Sequence, residues 1–302
     1  MRCGTDCEII ARPLIRLLLF MLASPTLTLF VYCLAIACFS LVGGLLPGWV
    51  KMTHTRTQMV MSLVSGLMLG VAFYHLLPHS IVLSGPRNGI DNAVWWVMVG
   101  LITMFLLLRM FHFHQHDFSS DEEGHHDHAH PHHHEPAAHR LSWVGIALGL
   151  ALHTLIDGVA LGAVMLGEGH GHSTVSMAGF GVFLAILLHK PLDAMSITTI
   201  MEAGGWDRTA RATTNVLFAL MCPLGAVLFY FGVDMLTLSR DAIVAAVLAF
   251  SAGAFICIAL SDLLPEVHFH SHDRGKLTLA FLLGIVIAYA IGAVEPAAMH
   301  HG

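Results

Sequence analysis

Long apolar stretches, separated by short polar segments, run through almost the whole chain. A helix needs about 20 mostly apolar residues to cross a bilayer, and eight stretches reach that length. Their predicted bounds are Thr26–Val50, Thr57–Leu83, Asn92–Phe111, Leu141–Leu166, Thr174–Ala203, Thr209–Val233, Ala242–Val267 and Lys276–Val294. The pattern predicts an all-α polytopic protein with eight transmembrane helices in a lipid bilayer.

Composition supports this prediction and excludes several classes of protein. Hydrophobic residues make up 56% of the chain and charged residues only 11%, whereas soluble domains carry roughly a quarter charged residues. No basic stripe is present that would suit nucleic acid. Residues 1–25 are interpreted as a lead-in to the first span, because Pro25 interrupts the early apolar run and no small-residue cleavage site closes it.

One connection differs from the others, because residues 112–139 form a segment rich in histidine and acid. Its low complexity predicts a disordered loop that binds divalent metal weakly, as a buffer or sensor. The histidines concerned are His125, His126, His128, His130, His132, His133 and His134.

The distribution of basic residues predicts the orientation of the spans. Connections that follow odd-numbered spans carry eight Lys and Arg residues, whereas those after even-numbered spans carry only Arg87 and Arg240. Basic residues in short loops favour the cytoplasmic side. The His-rich loop is therefore expected in the cytoplasm and both termini outside, in the plasma (inner) membrane.

The second and seventh spans share a pattern that indicates an internal repeat. Ser65–Gly66 is followed by His75–His79, which reads His-Leu-Leu-Pro-His, with nine residues from the glycine to the first histidine. At the same interval, Ala252–Gly253 is followed by Asp262–Glu266, which reads Asp-Leu-Leu-Pro-Glu. In the orientation above these spans run in opposite directions, which predicts an inverted repeat in a 3+2+3 arrangement.

Two matched pairs of ionisable residues lie inside apolar spans. His153 and Asp157 on the fourth span, and His189 and Asp193 on the fifth, are each four residues apart and so share one helix face. Ionisable groups at that depth are costly and indicate a functional site. Imidazole with carboxylate suits Zn²⁺, and also Fe²⁺, Mn²⁺ or Cd²⁺. The pairs therefore predict a metal site near the middle of the membrane.

These motifs resemble those of the ZIP family of divalent-metal transporters, especially its prokaryotic members. The likeness lies in His153-x-x-x-Asp157-Gly158, in His189-x-x-x-Asp193, in the eight spans and in the His-rich loop. Ser65-Gly66-Leu67-Met68 resembles a second-span segment that lends a methionine to the metal, so the resemblance implies Met68 as a further ligand.

The resemblance also implies what the protein does. Residues 26–302 would form one transporter domain that imports Zn²⁺ (or Cd²⁺, Fe²⁺ or Mn²⁺) into the cytoplasm and is compatible with a homodimer. Metal would move by alternating access through an elevator-like movement. In it, spans one, four, five and six would carry the metal against a frame of spans two, three, seven and eight.

The chain departs from the family where many members hold a second metal. Those positions read Thr154, Lys190 and Cys222 here. Because the ammonium of Lys190 would repel a second cation, we hypothesise one metal per chain, with Lys190 in place of the other. The ammonium would then pair with Asp157 or Asp193.

Further polar residues suggest a path through the membrane. His75, near the outer end of the second span, would serve metal entry. Near the cytoplasmic end of the seventh span, an exit relay is predicted from Asp262, Glu266, His268, His270 and His272.

Two other classes of protein use similar ligands. A cation-diffusion-type exporter would have six spans and a cytoplasmic C-terminal domain, whereas this chain ends just after its eighth span. An intramembrane zinc hydrolase would need a general base, and no His-Glu-x-x-His helix is present. Transport without enzymatic activity is therefore the expected function.

Overall fold

Every regular element in the described part of the chain is helical. The computed structural model describes residues 24–46, 54–86, 89–112, 136–168, 179–236, 239–269 and 274–294. We name the helices α1 (Pro25–Leu45), α2a (His54–Val71), α2b (Leu77–Ser84), α3 (Gly89–His112), α4 (Pro136–Glu168), α5 (Phe180–Ala203), α6 (Arg208–Gly232), α7 (Arg240–Phe269) and α8 (Arg274–Val294). A short 3₁₀ turn, Val233–Met235, extends α6.

The eight predicted spans are confirmed, since eight helical stretches are long and apolar enough to cross a membrane. Two edges differ from the prediction of a disordered segment at 112–139, because α3 includes His112 and α4 already begins at Pro136. Proline suits the first turn of a helix, where its missing N–H would have no partner anyway. The seven histidines of the predicted buffer fall outside the described residues.

The second span is the least regular helix. Between α2a and α2b lies a π-helical turn, Ala72–Leu76. Pro78 follows it and cannot donate a hydrogen bond to the carbonyl of Tyr74. Such a turn widens the helix locally and is often found at functional sites. His75 lies within this turn, which therefore sets where its side chain points.

Glycines let the helices approach one another closely. A Cβ on Gly158 of α4 would collide with the backbone of Cys222 on α6, and one on Gly43 of α1 with the backbone of Pro191 on α5. Likewise Gly66 of α2a is pressed against the backbone of α8 at Phe281. Small residues at such crossings are typical of helix packing in membranes.

The helix packing follows the predicted inverted repeat. Helix α4 packs on α6 as α5 packs on α1, and α2a packs on α8 as α7 packs on α3. The repeat relates the first, second and third spans to the sixth, seventh and eighth, and α4 to α5. Under this exchange the α4–α6 pair becomes the α5–α1 pair, and the α2a–α8 pair becomes the α7–α3 pair. Helices α4 and α5, which carry the two His/Asp pairs, are therefore the central elements of the arrangement.

Candidate metal centre

The four residues of the matched pairs converge on one cluster between α4 and α5. The Nε2 atom of His153 lies 3.4 Å from Oδ2 of Asp157 and 3.5 Å from Oδ2 of Asp193. Nε2 of His189 lies 3.2 Å from Oδ2 of Asp157 and 3.9 Å from that of Asp193. Each imidazole therefore faces both carboxylates, including the one on the other helix.

The cluster is removed from solvent except at one residue. His153 and His189 are buried and Asp157 is inaccessible, whereas the side chain of Asp193 is 19% exposed. Buried ionised groups need partners or a bound ion, because burial without them costs several kcal/mol. Among the four His and Asp side chains, Asp193 is therefore the one that the protein leaves partly uncovered.

Local helix structure orients the imidazole of His189. Nδ1 of His189 lies 2.7 Å from the carbonyl oxygen of Ala185, one turn earlier on α5. In that arrangement Nδ1–H donates to the carbonyl, so Nε2 is the nitrogen turned towards the carboxylates. A backbone partner of this kind orients many metal-binding histidines. The two rings lie side by side, with centroids 5.6 Å apart.

Lys190 is the fifth member of the cluster. Its Nζ donates to Oδ2 of Asp157 at 2.5 Å, to Oδ2 of Asp193 at 3.1 Å and to Oγ1 of Thr154 at 3.1 Å. The side chain is fully buried, so it does not reach a membrane interface. The predicted pairing with Asp157 or Asp193 is found with both at once. The ammonium thus lies between the two carboxylates.

Two polar atoms of the cluster have no protein partner, although both are buried. They are Oδ1 of Asp157 and Nδ1 of His153. An unpaired buried polar atom is costly and calls for an explanation. In addition, one ligand atom each from His153, Asp157 and His189 lie within 4.8 Å of one another. The donor set and its unpaired atoms suit a divalent cation as cargo.

The net charge of the cluster favours a cation as well. Two carboxylates and one ammonium, with neutral imidazoles, leave a charge of −1 in a buried site. Opposite charges attract far more strongly there than in water, because the local dielectric constant is low. The cluster can therefore attract a metal ion from solvent, while the ammonium opposes its binding.

The remaining predicted ligands lie on neighbouring helices. Met68 is fully buried on α2a, in the apolar core. Cys222 is fully buried on α6, opposite Gly158 of α4. Their roles as ligand and second-site substitute stay predictions, as do those of the four central residues.

The predicted path residues are only partly described. His75 is buried, and its Nε2–H donates to the carbonyl oxygen of Ala288 on α8 at 2.9 Å. Asp262, Glu266 and His268 belong to α7, but their side chains lie outside the described part of the structure. His270 and His272 also lie outside the described residues.

Sequence reasoning missed one neighbour of the cluster. The ring centroid of Phe218 on α6 is 6.0 Å from Nζ of Lys190, near the limit for an attraction between a cation and an aromatic face. Phe218 lies one turn before Cys222 on the same helix, and this spacing is the sequence feature from which its position near the cluster could have been predicted. It packs with Ala194, Ile197 and Met201 in an apolar cluster beyond Asp193 along α5.

Comparison with known proteins indicates the family of the chain. Residues 109–292, which include both His/Asp pairs, match the family model described as ZIP zinc transporter. The chain is 33% identical over 148 residues to "Zinc transporter ZIP9-B" of Xenopus laevis, with 47% of each chain covered. It is 30% identical over 175 residues to "Zinc transporter ZIP9" of Micropogonias undulatus, with 56% of this chain and 54% of that protein covered.

The chain spans about half the length of these curated relatives. The family match nevertheless covers more than half of the chain, and it contains the two central helices with all four residues of the matched pairs. The chain therefore belongs to the ZIP zinc transporter family, whose members are transporters and not enzymes.

Proposed function

We propose that this protein imports a divalent metal ion, with Zn²⁺ as its first substrate, across the plasma (inner) membrane into the cytoplasm. Residues 26–302 act as one transporter domain, and the metal is held by His153, Asp157, His189 and Asp193. The observation that carries the proposal is the buried cluster in which one ligand atom each from His153, Asp157 and His189 lie within 4.8 Å of one another. The names of the relatives support zinc, whereas the ligand types also accept Cd²⁺, Fe²⁺ and Mn²⁺.

Burial around the cluster supports alternating access. Towards the α4–α5 connection, residues 160–166 of α4 are all buried, whereas Asp193 on the opposite side is partly exposed. We infer that the site is closed on the first side and reachable at Asp193. With the orientation given by the basic residues, the reachable side is the cytoplasm. An elevator-like movement of α1, α4, α5 and α6 against the other helices would close the side at Asp193 and open the side towards the α4–α5 connection.

Lys190 makes the site mononuclear in this proposal. Its ammonium lies between the carboxylates, where it partly neutralises them when no metal is bound. An incoming ion must displace the ammonium from Asp157 and Asp193, which weakens binding. A transporter benefits from this competition, because the site has to release its cargo.

Replacing Lys190 with aspartate should convert the site to a binuclear one. The Lys190→Asp variant removes the repulsive charge and adds a ligand, so we expect two zinc ions per folded chain instead of one. Elemental analysis of purified protein measures this ratio. Lys276→Asp makes the same change of charge on α8 and should leave the ratio at one. A folded Lys190→Asp protein that still binds one ion would contradict the mononuclear proposal.

Uptake of radioactive zinc by proteoliposomes tests the proposed function. We expect uptake without ATP, and its loss in the His153→Ala and Asp193→Ala variants. An intramembrane hydrolase would bind zinc without moving it. Zinc bound to the protein with no accumulation inside the vesicles would therefore favour that alternative.

Removing the His-rich segment should spare transport. Its histidines are expected to bind metal weakly whatever the conformation of the loop, so deletion of residues 125–135 should leave the initial uptake rate within about twofold. What should change is the response of uptake to cytoplasmic zinc, which can be followed in cells that are first loaded with zinc. Complete loss of uptake in a folded, membrane-inserted deletion variant would show that the segment belongs to the transport path.

A further inference from the structure

His75 joins three helices on the closed side of the metal centre. It lies in the π-helical turn of the second span, and it is held by the carbonyl oxygen of Ala288 on α8. Its backbone carbonyl in turn accepts from Nδ1 of His79 at 2.9 Å. Close by, Oγ of Ser80 donates to the carbonyl oxygen of Ala245 on α7 at 2.8 Å. This part of the second span is thus tied to α7 and α8.

The ring of His75 meets α5 at a glycine. A Cβ placed on Gly181 would lie 3.1 Å from Cε1 and 3.2 Å from Nδ1 of His75. These separations are tighter than an ordinary contact between nonbonded atoms. A Cβ on Gly292 of α8 would lie 3.4 Å from Cε1 and Nε2 of the same ring, which is an ordinary contact. The absence of a side chain at Gly181 is therefore what lets α5 close against the imidazole.

This contact lies well away from the metal ligands. Gly181 precedes His189 by eight residues of a continuous helix, so the two are about 12 Å apart along the axis. Phe183 on the same turn stacks on Tyr32 of α1, with ring centroids 4.0 Å apart. Next to the contact, Val182 and Ile186 of α5 are both buried. The first two turns of α5 thus form a closed seal on the side opposite Asp193.

We propose that His75 and Gly181 form a latch that must open whenever the metal centre is reached from the closed side. His75 stays with α8 through its bond to Ala288, and the second span stays with α7 through Ser80, while Gly181 moves away with α5. Gly181 is a positioning residue that sets how tightly the side closes and does not touch the metal. The inference rests on the proposed transport function and adds the point at which the two groups of helices separate.

Reversible cross-linking tests the latch in the full-length protein. The variant His75→Cys with Gly181→Cys is linked by a short bis-methanethiosulfonate, and mass spectrometry identifies the linked peptides. We expect the link to lower zinc uptake at least tenfold, and a reductant to restore it. Zinc binding should persist at one ion per chain, because the side at Asp193 remains reachable.

The matched control places the second cysteine on α8. In His75→Cys with Gly292→Cys, the link joins two helices that stay together, so uptake should be the same before and after linking. Uptake by the reduced variants tests the transport function, whereas the change on linking tests the latch. Equal uptake of linked and reduced His75→Cys, Gly181→Cys protein would overturn the latch, and so would an equal loss in the α8 control.

A second pair of variants keeps the native His75. It tests the latch if the cysteine variants transport zinc too slowly for the effect of linking to be measured. Gly181→Ala should lower zinc uptake several-fold with unchanged zinc affinity, because its methyl group hinders closing. Gly292→Ala, whose methyl group has room, should keep the wild-type rate. Identical rates for the two alanine variants, or a loss of zinc affinity in Gly181→Ala, would contradict the proposal.

Discussion

Replacing Asp157 with asparagine should abolish zinc binding and lower zinc uptake at least a hundredfold. A single oxygen of Asp157 is the closest carboxylate contact of His189 and of Lys190, and it lies 3.4 Å from His153. Asparagine keeps the shape but removes the charge that attracts the ion and holds the ammonium. Isothermal titration and vesicle uptake measure the two effects.

The same substitution also leaves Lys190 with one carboxylate instead of two. Breaking a buried ion pair by removing one partner typically costs about 3–5 kcal/mol, so the variant should unfold more easily. A double variant, Asp157→Asn with Lys190→Met, removes the charges of Asp157 and Lys190 and should bind zinc far more weakly than Lys190→Met alone. Zinc binding by the double variant that is as tight as in Lys190→Met alone would show that Asp157 acts on the fold and not on the metal.

An Asp→Asn exchange outside the cluster provides the matched control. Asp207 caps α6 by accepting hydrogen bonds from the backbone N–H groups of Thr209 and Ala210. Asparagine caps helices about as well as aspartate. Asp207→Asn should therefore bind and transport zinc as the wild type does, and a loss of uptake there would make the effect at Asp157 unspecific.

Replacing Lys190 with methionine should tighten zinc binding by 10- to 100-fold and slow transport at saturating zinc. Two unit charges about 4 Å apart interact by about 4 kcal/mol at an effective dielectric constant of ~20, and the ammonium opposes every incoming cation from that range. Methionine keeps the apolar stem and removes the charge. Slower dissociation of the tightly held ion should then limit turnover.

Competition with a chelator measures the affinity of the Lys190→Met protein, and thermal unfolding with and without zinc provides a second readout. Without zinc the variant should be less stable, because Asp157 and Asp193 then repel each other without a cation between them. With zinc most of that loss should disappear. Lys276→Met on α8 should change neither quantity. Weaker zinc binding in Lys190→Met would mean that the lysine assists the metal instead of competing with it.

The eight spans were predictable because the bilayer sets a minimum length for an apolar helix, and the paired motifs because a spacing of four fixes a common helix face. The contacts between helices could not be predicted from the sequence in this way. Nothing local indicates that Nε2 of His153 faces the carboxylate of Asp193 on the next helix, or that the Lys190 ammonium reaches Asp157 and Asp193 together. Such contacts depend on how α4 and α5 cross.

The π-helical turn shows a different limit of sequence reasoning. Pro78 predicts a disturbed hydrogen-bond pattern one turn earlier, but it does not specify whether the helix kinks, ends or widens. The choice of a π turn at Ala72–Leu76 places His75 against Gly181 of a distant helix. A residue predicted only as part of an entry path thus lies at the contact between the second span and α5.

X-ray absorption spectroscopy of the zinc-loaded protein tests the central claim most directly. A mononuclear site should contain one zinc per chain, with nitrogen and oxygen ligands at about 2.0–2.2 Å and outer-shell scattering from two imidazoles. It should also have no neighbouring metal. A spectrum without imidazole scattering, or with a second zinc nearby, would contradict a single ion held by His153, Asp157, His189 and Asp193 beside Lys190.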